Sequence, residues 1–340
     1  MKHFISILAV LAATISLGAQ NIAVVSPNNT TTICQTLDEA VGKATSGSVI
    51  YLPGGGFQIK DETVIDKKIT IMGVSHRGDT DNADGATVIS GNLNFGKGSS
   101  GSAVLGVYVS GNVNVGTATD SVLNLTFRKC NVNSIQVNHR QSSGMRVNQC
   151  YLRNMSRFAK CNVHIDNSIV HSLFHISGGT INHNIITSRS GEEGVGPYDR
   201  YGSYYCSYHL GDVHNSTITN NFILYSNVQY AYVHDGSNCQ VSNNCIGKDS
   251  WGNVAIIIEG EATWDDVFYA NKGVSIYSDY RLKSSCGKNA ATDGSDIGIF
   301  GGTGFDPKSL APIPRIVSKK VAEQTDGTGK LKVEVTVKAQ

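Results

Sequence analysis

The sequence predicts an all-β chain wound as a right-handed parallel β-helix (solenoid), with a short N-terminal capping helix and a C-terminal β-hairpin tail. Three observations carry this. Charged residues make up 16%, Gly (37) is abundant and Pro (6) is scarce, a composition suited to short strands joined by tight turns. A unit of the form apolar-x-x-[Asn/Cys/Ser]-x-apolar recurs through the middle of the chain. Its period is near 20 residues with no helical pattern inside it, which is too short for helix-pair repeats and lacks the leucine-rich signature.

The elements follow in order. Residues 1–20 read as a signal peptide: Lys2 is the positive start, Phe4 to Leu17 the apolar run, and Gly18-Ala19-Gln20 the small-residue cleavage site. The first cysteine is Cys34, so no lipoprotein anchor is expected. Residues 21–34 form an N-terminal lead. Thr36 and Glu39 then make a capping box, and Leu37, Ala40, Val41 and Ala44 fall on one helical face. Strands are expected at Ser48 to Leu52 and at Ile69 to Val74. The helix shields the open edge of the solenoid.

The body, 35–305, then repeats. The units are Phe127…Cys130…Val132, Val147…Cys150…Leu152, Ile165…Ser168…Val170, Ile181…Asn184…Ile186, Ile218…Asn221…Ile223 and Val241…Asn244…Ile246. Their central residues are 20, 18, 16, 37 and 23 positions apart. Upstream, Ser90-Gly91-Asn92-Leu93-Asn94-Phe95 recurs as Ser110-Gly111-Asn112-Val113-Asn114-Val115. Each period is one coil of three short strands, and strands stack at about 4.8 Å, so the central Asn, Cys and Ser side chains form an internal column at a turn. Asn suits a turn because it tolerates the left-handed region and its amide bonds along the stack. Cys130 and Cys150 would be neighbours there, as free thiols or as a disulfide.

The step of 37 contains an insertion at 188–206, SRSGEEGVGPYDRYGSYYC. Long loops on a rigid scaffold are where function concentrates. Thr292 to Gly302 reads as a last strand with turns. The tail, 306–340, holds two strand-like runs, Pro314 to Val317 and Lys330 to Val337, around an Asp326-Gly327-Thr328-Gly329 turn.

The opening Leu37-Asp38-Glu39-Ala40-Val41 with Gly47-Ser48-Val49-Ile50-Tyr51-Leu52-Pro53-Gly54-Gly55, and the Asp296-Ile297-Gly298-Ile299 end, resemble the pectin-lyase-like β-helix superfamily, in particular secreted β-helix proteins of Bacteroidetes type. The resemblance covers roughly 35–305. It implies fold more than activity, because members include lyases, hydrolases, epimerases, esterases and non-catalytic adhesins. Thr292-Asp293-Gly294-Ser295-Asp296 mimics part of a polygalacturonase motif, but its companion Asp-Asp and Gly-His-Gly are absent downstream. Calcium is implied by the resemblance only; no cofactor is read from the residues.

Alternation places Gln136, Ala159, His175, His209 and Tyr232 in one outward column, with His234 and Glu259 beside it. His175, His209, Tyr232, His234 and Glu259 are the candidate catalytic residues, since His or Tyr serves as base in β-elimination and carboxylates serve in glycoside hydrolysis. Glu192, Glu193, Tyr198, Arg200, Tyr201, Tyr204 and Tyr205 of the insertion are the candidate substrate-binding residues. Their rings stack on sugar faces, and their charges bind hydroxyls or acid groups. The expected function is an exported protein, secreted, periplasmic or at the cell surface, that acts on a polysaccharide or oligosaccharide in a groove. It would be a lyase or glycoside hydrolase; the alternative is a non-catalytic glycan-binding or structural β-helix protein. A net charge of +1 without a basic stripe argues against nucleic acid. No later run is long enough for a membrane span, and the absence of a CxxC pair argues against a zinc knuckle.

Overall fold

The computed structural model describes residues 21–78, 85–156, 161–187, 210–224, 233–234, 238–246, 267–269, 278–283, 285, 287–311 and 315–338. The expected signal peptide lies outside the described residues. The chain is all-β around two long sheets, of 11 and 13 strands, whose pairing is parallel except at the N-terminal edge.

The chain visits the sheets alternately. Val49–Tyr51, Thr70–Met72, Ala103–Leu105, Thr126–Arg128, Met145–Asn148, Val163–Asp166, Thr180–Asn182, Thr217–Thr219 and Gln240–Ser242 lie side by side in the first sheet. Between them the chain supplies the second sheet, through Tyr108–Val115, Asn131–Val137, Tyr151–Ser156 and Ile169–Ser177. Each return is one rung. Register stacks like on like: Ile50, Ile71, Val104, Phe127, Val147, Ile165, Ile181, Ile218 and Val241 form one continuous row. All but Val241 are buried in a single core. Strands turn inward residues into such rows because their side chains alternate with period two.

The second sheet bends. Tyr108–Val115 pairs with Thr87–Ser90 through its first residues and with Leu93–Phe95 through its last, with a register shift between Val109 and Asn112. Ile169–Ser177 divides likewise between Ile185–Thr187 and Leu210–His214. At the bend, a Cβ on Gly111 would lie 2.2 Å from the Gly91 carbonyl oxygen, so only glycine fits under the rung above.

The turn that leads from each strand of the first sheet to the next strand of the second carries the internal column. The Asn244 Oδ1 accepts from the Asn221 N–H (3.0 Å), the Asn221 Oδ1 from the Asn184 N–H (2.8 Å), and the Asn184 Oδ1 from the Ser168 N–H (2.9 Å). Ser168 Oγ and Cys150 Sγ continue it to Cys150 and Cys130. All six residues are buried, and both cysteines are free. The left-handed backbone expected at these residues falls instead one position earlier. Lys129, Gln149, Asn167, His183, Asn220 and Asn243 have φ between 47° and 58°. The bend reverses the chain there, which frees the next side chain to point inward and cap the neighbouring rung.

The N-terminal edge is closed as the capping pattern requires. The helix spans Leu37–Lys43, Thr36 accepts from the Glu39 N–H through Oγ1, and Leu37, Ala40 and Val41 are buried. Ile22–Val25 and Thr31–Cys34 add an antiparallel pair beside Val49–Tyr51.

The reading of 292–302 as a last strand is corrected: residues 287–311 form turns and bends, with no strand. Gly294, Gly298, Gly302 and Gly304 all have positive φ, which breaks extended geometry. The segment is a strap that runs back along the left-handed turn residues. The Ala290 carbonyl accepts from Asn243, Thr292 bonds Asn220, Ile299 and Gly301 carbonyls accept from Asn167, the Gly304 carbonyl accepts from Gln149, and Asp306 accepts from Lys129. Beneath it lies a second apolar cluster outside the main core, in which Ile169, Ile185, Phe222 and Cys245 are covered by Phe268, Tyr280, Ile297 and Ile299.

The tail is an antiparallel hairpin, Arg315–Thr325 with Leu331–Lys338. Its first strand outruns the expected 314–317, because Lys319 and Lys320 interrupt the apolar pattern without interrupting pairing.

Candidate functional site

An open groove of about 450 Å³ runs along the outer face of the second sheet near its N-terminal end, within the usual range for ligand sites. Its floor is a row of outward positions. Val64 pairs with Asn94, Asn94 with Asn114, and Asn114 with Gln136, one per rung. Their neighbours Leu93, Phe95, Val113, Val115, Ile135 and Val137 are buried, so alternation drives the amides outward. Successive floor residues are about 4.8 Å apart.

The rim on one side is the turn carrying Asp61 and Glu62. This turn is fixed from the capping helix: Asp38 accepts from the Lys60 N–H (3.0 Å) and from the Thr63 hydroxyl. Asp61 in turn accepts from Asn92 Nδ2 at 2.9 Å through its carboxylate and from Asn94 Nδ2 at 2.7 Å through its carbonyl. Thr117, Ala118 and Asn138 form the other side.

The amides are only partly satisfied. Asn114 Nδ2 donates to Asn94 Oδ1 at 2.7 Å, which ties the two amides together. No hydrogen bond among the described residues uses Asn114 Oδ1, the Gln136 amide or the Glu62 carboxylate. Val64 is 48% exposed and adds an apolar patch. Free acceptors, a free amide and an apolar shelf within one groove can hold a ligand that is polar at its edge and apolar on its face.

A second outward cluster lies on the first sheet. Arg146 pairs with His164, and Asn148 with Asp166, in adjacent strands. Burial raises the Asp166 pKa, and the nearby His164, His183 and Arg146 pull it back only in part. His164 Nδ1 meets Thr180 Oγ1 at 2.8 Å.

The candidate residues read from sequence fall as follows. His209, Tyr232 and Glu259, and all of Glu192, Glu193, Tyr198, Arg200, Tyr201, Tyr204 and Tyr205, lie outside the described residues. His175 lies in Ile169–Ser177 and His234 in Val233–His234. The expected column needs one correction of register. Leu173 pairs with Leu210 and Phe174 with Gly211, which puts His175 level with Asp212 and not with His209. Gln136 likewise pairs with Ser156, not with Ala159. The stacking keeps a constant offset of 37 between Phe174 and Gly211 and between Thr180 and Thr217. The apolar-x-apolar likeness of Phe174-His175-Ile176 to Tyr208-His209-Leu210 implies an offset of 34, three residues short of the pairing. His234 pairs with Gly211, and Met155 with Leu173. His234 therefore shares the register row of Asn94, Asn114 and Gln136, several rungs further on.

Sequence reasoning missed Asn94 and Asn114 as site residues, although it found the repeat that contains them. The signal was there: each Asn sits between two apolar residues of a strand. Asp61 and Glu62 carried no pattern.

Among the described residues no group of three or more His, Cys, Asp and Glu side chains is placed to hold a metal, so the calcium implied by the resemblance finds no fit there. No helix among them is long and apolar enough to cross a membrane. No family model and no curated protein matches the chain.

Proposed function

We propose that the two sheets are faces of one right-handed parallel β-helix of the pectin-lyase-like kind, and that the protein is exported and holds a polysaccharide or oligosaccharide along its outer face. The right hand follows from the crossover rule for parallel strands. The observation that carries the binding reading is the Asn94–Asn114–Gln136 row, whose amide atoms are only partly used by hydrogen bonds among the described residues, beside exposed Val64. A rung step is close to the length of one sugar residue in an extended glycan, so each rung offers its amide to a successive unit. Sugar hydroxyls both donate and accept, as carboxamides do, while Val64 meets an apolar ring face.

The test is affinity electrophoresis and calorimetry with a panel of polysaccharides, on wild type and on Asn114→Ala with Gln136→Ala. Binding that weakens at least tenfold in the double variant supports the reading. Binding that is unchanged in it, or no binding to any glycan, removes it.

A catalytic reading, lyase or hydrolase, is favoured by one further observation: His234 continues the row that forms the groove floor. In this reading His209, Tyr232, His234 and Glu259 act on the chain that the amides hold. It is tested by following unsaturated ends by ultraviolet absorbance and, separately, reducing ends. Turnover that survives both His209→Ala and Tyr232→Phe would rule these residues out, and binding without turnover leaves a non-catalytic glycan-binding protein.

A further inference from the structure

We infer that the groove takes a neutral, hydroxyl-rich glycan and discriminates against polyuronates; this rests on the glycan-binding reading above. The charged side chains that line the groove are Asp61 and Glu62, both acidic. Lys60 and Lys97, adjacent in sequence to lining residues, do not line it. A uronate carboxylate is acceptor-only and is normally met by an Arg fork or a Lys. Apart from the Gln136 amide, whose donors are neutral, this groove offers acceptors and acidic charge. Asn94 spends its Nδ2 on the Asp61 and Thr63 carbonyls, and Asn114 directs its Nδ2 at Asn94. What Asn114 leaves open is Oδ1, which repels a carboxylate and accepts from a hydroxyl.

Of the two rim charges, that of Asp61 is fixed in place. The Asp61 carboxylate is held by Asn92, and the turn is held by Asp38 through Lys60 and Thr63. A polyuronate laid across successive rungs brings carboxylates past this rim at every step. A neutral glycan brings hydroxyls, for which Glu62 is an added acceptor.

The experiment measures dissociation constants of the full chain for a neutral mannan and glucan and for polygalacturonate and alginate. It is done at low ionic strength, where exposed charges act most strongly, with a chelator present so that no divalent cation bridges two carboxylates. The neutral glycans are expected to bind at least about tenfold more tightly than the acidic ones. Glu62→Gln is expected to narrow that ratio about threefold, the scale of one partly exposed charge pair, and Glu62→Lys to narrow it further. Because the ratio is internal to each variant, loss of folded protein does not mimic the effect. Acidic glycans binding as tightly as neutral ones, or a ratio unmoved in both variants, overturns the inference and leaves the glycan reading standing. Binding to neither class removes the glycan reading itself.

Discussion

Asn221→Ala tests whether the buried amide column holds the rungs together. The Asn221 Oδ1 accepts from the Asn184 N–H at 2.8 Å and from Asn184 Nδ2 at 3.0 Å. Its Nδ2 donates to Asn244 Oδ1 and to the Ile181 carbonyl, both at 2.8 Å. After truncation, Asn184 Nδ2 keeps the Ile165 carbonyl, and Asn244 Oδ1 keeps the Asn221 N–H. The Asn184 N–H keeps nothing. One orphaned buried donor costs about 1–3 kcal/mol, and the three other lost bonds together add about 2 kcal/mol. The expected loss is therefore about 3–5 kcal/mol. With a urea slope of about 3 kcal/mol/M, the unfolding midpoint falls by about 1 M or more. The assay is urea unfolding followed by far-ultraviolet circular dichroism. Asn243→Ala is the comparison: it places alanine in the left-handed region at φ 52° and removes a bond to the Ala290 carbonyl, for about 1–2 kcal/mol. If Asn221→Ala unfolds within about 0.5 kcal/mol of wild type, or no earlier than Asn243→Ala, the column does not carry the stability assigned to it.

Four further outcomes are expected. Phe222→Ala empties the cluster under the strap, where Phe222 meets Phe268 edge-on at 5.1 Å. It should cost about 3–5 kcal/mol, and limited proteolysis should cut within 287–311 before it cuts the sheets. Burial of Asp306 opposes its ionisation, but Lys129 and the N–H groups of Lys308 and Leu310 outweigh this and hold its pKa below the ordinary carboxyl value. The strap's stabilisation is then fully present above about pH 3.9 and is lost as pH falls through the lower folded value; Asp306→Asn should flatten that acid limb in thermal melts. Burial pushes the Cys161 thiol up to about 12, so mass-spectrometric mapping after iodoacetamide at pH 8 should find Cys161 unmodified until denaturant is added. Gly111→Ala drives its Cβ against the Gly91 carbonyl and should lower the melting temperature through about 1–3 kcal/mol of overpacking.

The scaffold was legible because its repeat is enforced by packing. Cys130, Cys150, Ser168, Asn184, Asn221 and Asn244 must each reach the rung beside them, so outside the step of 37 their spacing in sequence follows the circumference of a rung. The helix was legible for the same kind of reason, since Thr36 and Leu37-x-x-Ala40-Val41 satisfy local geometry alone. The strap was not legible, because Ile297-Gly298-Ile299 alternates as a strand does. Its apolar side chains are buried against outward residues such as Phe222, which sequence alone places only once the faces are known. The register of the candidate column was not legible, and this has a definite cause. Matching Tyr208-His209-Leu210 to Phe174-His175-Ile176 used a local pattern of three residues. Register is set by every rung between the anchors, and those keep Leu173 on Leu210. In a stacked fold a local likeness therefore yields to the offset of its flanking rows. Successive offsets of 20, 18, 37 and 23 put Phe174 rather than His175, and then His234, in line with Gln136. A site drawn along one row of such a scaffold has to be read from the pairing of the whole row, and the carboxylates that tune it, here Asp61 and Glu62, come from turns whose lengths the repeat does not constrain.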